Sequence, residues 1–142
     1  MSHWQTGQLD LKCSLNILRK ALINIMPKWA DHIQVDEKGG LNASYHGNSV
    51  KQTYQLIVKG NGGVPGLYSD IGLSRKPDGT WDIGGDYSIG TLKQKLTGEV
   101  MRMRGIAIAK MRGYEIIRNE NNEEEIITEI RVDVDKAREL MA

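Results

Sequence analysis

The sequence predicts an α+β fold, a two-layer sandwich in which a mostly antiparallel sheet carries two helices on one face, and three observations predict it. Two alternating segments between Asp70 and Ile83 flank a Pro77-Asp78-Gly79-Thr80 turn that can reverse the backbone, the mark of a β-hairpin. The amphipathic stretch Thr91 to Arg112 follows that hairpin directly. A further pair of strand-like runs comes after it, so this part of the chain reads strand, strand, helix, strand, strand. With a first helix near the N-terminus, that makes two helices among about six strands.

Each element has a local reason. Trp4 to Leu11 alternates loosely and reads as a first strand. Ser14 is an N-cap, after which Leu15, Leu18, Leu22, Ile25 and Met26 fall at helical spacing until Pro27 stops the run. His32 to Val35 begins a second strand, Gly39-Gly40 turns the chain, and Leu41, Ala43 and Tyr45 resume period two. Gln52 to Lys59 is the clearest strand, partly apolar on both faces as a central strand should be. After the hairpin, Trp81, Ile83 and Gly85 share one face, with Asp82, Gly84 and Asp86 on the other. Thr91 caps the second helix, where Leu92, Leu96, Val100, Met103, Ala107 and Met111 form one apolar stripe. Gly98 and Gly105 stand seven apart near one side of it, so either another backbone approaches there or the helix is marginal. Tyr114 to Arg118 and Glu125 to Val134 are the closing strands, and Asp135 to Met141 a short terminal helix.

Composition narrows the function classes. A chain of 142 residues has the length of one ordinary domain. Its net charge of +1 gives no global bias toward nucleic acid or anionic membrane, so any basic site is local. Cys13 is the only cysteine, which excludes an intrachain disulfide and a multi-cysteine metal centre and reads as a small, partly buried filler. No apolar run approaches the ~20 residues of a membrane span, and the opening residues lack a signal-peptide pattern. The expected setting is soluble and cytoplasmic.

Several short motifs stand in a telling order: Met1-Ser2-His3-Trp4, Asp70-Ile71-Gly72-Leu73, Asp78-Gly79-Thr80-Trp81, and a long helix leading to Arg112-Gly113-Tyr114. In this the chain resembles the hypothetical chloroplast reading frame thirty-five family of cyanobacterial and plastid small proteins, over nearly residues 1 to 134. Three features depart from that pattern. The second helix carries Glu99-Val100-Met101-Arg102-Met103-Arg104 where the family has an aromatic stretch, and the 60–66 loop and the tail beyond Val134 look added. The family has no assigned activity, so the resemblance implies no cofactor and no catalytic residue. It implies a cytosolic setting, or the plastid stroma for a plastid-encoded chain.

The residues that could carry chemistry are few. Gly60 to Gly66 is glycine-rich like a phosphate loop, but it lacks the Gly-Lys-Ser/Thr and following helix that cradle a phosphate, and it reads as a hairpin loop. His3, His32 and His46 have no zinc-ligand spacing. Asp70, Asp82 and Asp86 lie on consecutive hairpin strands, where two could meet as a carboxylate pair for acid–base work or a divalent cation. Otherwise they are strand-end aspartates in water. Lys93, Lys95, Arg102, Arg104, Lys110 and Arg112 face only Glu99 on the second helix, the largest local charge bias in the chain. With Tyr114 as a neighbouring aromatic, they form a candidate contact surface for an acidic protein or for nucleic-acid backbone, and Trp81 is a further candidate interaction residue. The expected function is a non-enzymatic protein-interaction module without a cofactor. The alternatives are a nucleic-acid binder using helix 91–112 and a small ligand-binding protein or enzyme using the three aspartates.

Overall fold

The computed structural model describes residues 4–60, 62–65, 67–86 and 89–111. The elements are β1 (Gln5–Leu9), α1 (Leu15–Ile25), a 3-10 helix (Pro27–His32), β2 (Ile33–Val35), β3 (Leu41–Tyr45), β4 (Asn48–Tyr54), β5 (Leu56–Val58), β6 (Ile71–Arg75), β7 (Trp81–Gly85) and α2 (Ile89–Met111). Among the described residues, five antiparallel strands form one sheet in the order β1-β7-β6-β5-β2, and β3 and β4 form a separate two-stranded ribbon. This is the α+β class that the pattern predicts. The chain divides into two compact units, Met1–Thr97 and Gly98–Ala142, with the boundary inside α2. The expected closing strands and terminal helix lie outside the described residues.

Local chemistry sets the boundaries. The Ser14 side chain accepts the Ile17 N–H at 3.2 Å and caps α1, and Pro27, which cannot continue an α-helix, opens the 3-10 helix instead. In the β6–β7 hairpin, Gly79 takes φ +91°, a conformation that suits glycine alone. Asp78 Oδ1 accepts from both the hydroxyl and the N–H of Thr80, at 2.5 and 2.8 Å, and those bonds hold its carboxyl below the usual range.

The first face of the sheet is the one carrying Trp81, Ile83 and Gly85. Trp81 donates its indole N–H to the carbonyl of Cys13 at 3.0 Å, just ahead of the α1 cap. A Cβ on Gly85 would meet Ile89, at the start of α2, at 2.6 Å. Both helices therefore begin on this face. The opposite face carries Gly72 and Gly84, paired in register. A Cβ on Gly72 would lie 2.6 Å from the Tyr54 ring, and one on Gly84 would lie 2.5 Å from the Tyr54 hydroxyl and 2.7 Å from Trp4. The two glycines make the shallow bed in which these rings lie. Around them a second cluster forms from Ala43, Tyr54 and Ile57, joined by Trp4, Leu41 and Val50.

The run Gln52–Lys59 is the main departure from the sequence reading. It does not form one strand but breaks at Gln55, with β4 pairing in the ribbon and β5 in the main sheet. Gln55 makes the break by bonding in four directions. Its N–H goes to Leu73 at 3.0 Å, its carbonyl takes the Asp36 N–H at 2.8 Å, its Oε1 takes the Arg75 N–H at 2.8 Å, and its Nε2 donates to the Glu37 carbonyl at 2.9 Å. The side chain supplies what an uninterrupted ladder would have offered through its backbone. Beyond the break Leu56, Ile57 and Val58 are all fully buried, as a central strand demands.

Candidate functional site

Asp70 stands one residue before β6 and is 1% exposed. Its Oδ2 accepts from the Ser44 N–H at 2.8 Å and from the Lys59 ammonium at 3.1 Å, and its Oδ1 accepts from the Gly60 N–H at 2.9 Å. Its own N–H donates to the Ser44 carbonyl at 2.8 Å. The carboxylate thus ties together the ribbon, the glycine loop and the start of β6, and its lone pairs are spent on that task. Asp82 lies opposite Ser74, four residues further along β6 from Asp70, a separation of roughly 13 Å. The structure does not bring this pair together. Asp86 follows β7, and its carbonyl accepts the Ile89 N–H at 3.3 Å where α2 begins. Among the described residues, no group of three His, Cys, Asp or Glu side chains gathers to hold a metal ion.

The glycine loop turns its donors inward. Gly60 gives its N–H to Asp70, Gly63 to the Gly60 carbonyl at 2.8 Å, Val64 to the Lys59 carbonyl at 3.0 Å, and Leu67 to the Val64 carbonyl at 3.2 Å. A phosphate cradle needs several convergent N–H groups left for the anion. These four are already used.

Over Gly84, the Tyr54 hydroxyl and the Trp4 indole N–H are buried and neither has the alignment of a hydrogen bond. Burial raises the phenol pKa, the nearby Trp4 N–H lowers it, and the Asp82 charge raises it further. The ring is packed as a core group, and nothing in its contacts marks it as reactive.

The candidate contact residues separate on inspection. Trp81 is 0% exposed, so its role is in the core and not on a contact surface; it fills the interior because its N–H finds an internal acceptor in Cys13. Lys93 lies against Gly7 of β1, with 3.3 Å between its Nζ and a Cβ built on that glycine. Lys95 is exposed. Arg102 clasps Glu99 through Nε at 2.6 Å and Nη2 at 2.9 Å. Arg104 and Lys110 are half-buried, each with an interaction of its own. Arg112 and Tyr114 lie outside the described residues.

On α2, Leu92, Leu96, Val100, Met103 and Ala107 are buried as their spacing predicts, whereas Met111, assigned to the same stripe, is 37% exposed. A second stripe, which the sequence reading left unassembled, lies elsewhere on the helix. Gly98, Met101, Gly105 and Ile108 follow one another at steps of three, four and three, and all four are exposed. Met101 is 62% and Ile108 40% exposed. A Cβ on Gly98 or Gly105 would meet nothing within 4 Å. The approach of another backbone, one of the two explanations for these glycines, is therefore not made by the described parts of this chain. At 100° per residue, Arg102 and Arg104 flank the stripe on either side. The signal was in the sequence as the spacing of Met101 and Ile108 with the two glycines.

Among the described residues, no helix is long and apolar enough to cross a membrane. No protein-family model, curated protein or solved structure matches the chain. The reading of its function accordingly rests on its own residues.

Proposed function

We propose that this protein is a non-enzymatic interaction module that presents the Gly98, Met101, Gly105 and Ile108 stripe of α2 to an acidic amphipathic helix of another protein. The observation that carries this reading is the exposed methionine and isoleucine on a helix whose other side is already buried. The three-four-three spacing is that of a helix–helix seam, and glycine at two of its positions allows close approach. Charge selects the partner. The Arg102–Glu99 pair stands on one side of the seam and Arg104 on the other, so the Arg104 side favours a glutamate at the flanking position of the partner. The resemblance to the hypothetical chloroplast reading frame thirty-five family assigns no chemistry and carries none of this reading.

The test is a fluorescence anisotropy titration at ~150 mM salt with two designed helical peptides sharing one apolar face, one flanked by glutamates and one by lysines. Saturable binding of the acidic peptide alone, lost in Met101→Asp with Ile108→Asp, is the expected result. Equal binding of both peptides, or of neither, refutes the proposal. A duplex DNA arm covers the second reading. Submicromolar DNA binding abolished by Arg102→Ala with Arg104→Ala would replace the protein partner with nucleic acid.

A further inference from the structure

Where α1 gives way to the 3-10 helix, a hollow of about 560 Å³ opens among Ile25, Met26, Pro27, Lys28, Trp29 and the loop residues Val64 and Pro65. It adjoins a smaller one of about 160 Å³, which shares Met26 and Trp29 and adds Thr91, Leu92 and Lys95. The larger hollow alone falls within the ~300–1,000 Å³ of small-molecule sites, which are mostly apolar with a few polar groups that orient the ligand. Its composition matches that description. Trp29, 9% exposed, is common to both hollows, and the other walls are aliphatic apart from one lysine in each and Thr91. No aspartate or glutamate lines either hollow among the described residues, and the charged side chains that do are Lys28 in the larger and Lys95 in the smaller.

An apolar wall with only cations at its margin selects by charge as well as by hydrophobicity. We infer that this trough binds a small aliphatic carboxylate, its chain against Trp29, Met26, Val64 and Pro65 and its carboxylate paired with Lys28 or Lys95. Burial of the chain drives binding. The lysine makes a charge-assisted bond that an alcohol of the same length would forgo. The site is distinct from the Met101 and Ile108 stripe and stands or falls apart from it.

The test uses the full chain, labelled with ¹⁵N and titrated with sodium decanoate and with 1-decanol. Decanoate should bind saturably, moving the amide signals of Met26, Trp29, Val64 and Leu92, with roughly three- to tenfold preference over decanol. Lys28→Met with Lys95→Met, both surface changes, should retain decanol binding and bring that ratio to about one. Trp29→Leu should weaken both ligands, provided its circular dichroism spectrum matches the wild type. Decanol binding as tightly as decanoate to the wild-type chain, signals moving only elsewhere, or no saturation below the micellar range would each overturn the inference.

Discussion

Asp70 and Ser44 hold each other twice: the Ser44 N–H donates to the Asp70 carboxylate and the Asp70 N–H donates to the Ser44 carbonyl, both at 2.8 Å. This reciprocal bond fastens the β3–β4 ribbon to the start of β6, and the same carboxylate takes Gly60 and Lys59. Asp70→Asn would turn an amide NH₂ toward donors and remove the charge facing Lys59. The expected loss is about 2–4 kcal/mol, read as a lower urea midpoint. A midpoint equal to wild type would show that the clamp contributes nothing to stability.

Gly72→Ala should destabilise the fold by about 1–3 kcal/mol through overpacking, since the new Cβ would press into the Tyr54 ring at 2.6 Å. That ring is fully buried and cannot swing aside. Thermal melting checks it. Combining the change with Tyr54→Leu should recover part of the loss if the clash is the cause.

Two adjacent substitutions test the phase of α2. Val100 is 0% and Met101 62% exposed, so Val100→Asp should cost roughly 3 kcal/mol or more by burying an unpaired charge, and Met101→Asp at most about 0.5 kcal/mol. Similar melting temperatures for the two variants would mean that the buried and exposed sides are misassigned.

Stability should fall in alkaline solution because of Tyr54. Its phenol ionises near pH 10 in the unfolded chain and higher in the folded one, mainly because burial disfavours the phenolate. Between those two values the unfolded state has released the proton that the folded state still holds, so the contribution is complete below pH 10 and is lost as pH rises toward the folded value. Tyr54→Phe should show a shallower decline in melting temperature from pH 9 to 11 than the wild type. Parallel declines would exclude Tyr54 as the source.

Much of the fold was legible because local chemistry acts within a few residues. The Ser14 cap, the Pro27 stop, the Pro77–Thr80 turn and the buried stripe from Leu92 to Ala107 needed only neighbouring residues to specify them. The His46-Gly47 turn between β3 and β4 was not legible. His46 adopts φ 49°, a conformation usually marked by asparagine or glycine, so its residue type sent no signal.

What only the tertiary structure decided are the relations between distant residues. Period-two alternation continues through Gln55, and nothing local breaks it; the break appears because Asp36, Leu73 and Arg75 come to bond with it. The three aspartates look alike along the chain, yet one is a buried clamp and another lies four residues further along the sheet, because register is a property of paired strands. Trp81 reads as a surface aromatic until Cys13, 68 residues away, supplies its acceptor. The sequence by itself marked the start of α1 and the β6–β7 turn, through the Ser14 cap and Pro77–Thr80, whereas α2 begins at Ile89, two residues ahead of the expected Thr91 cap. Which side chains meet, and which are left facing solvent on α2, was settled by packing among residues that periodicity cannot relate.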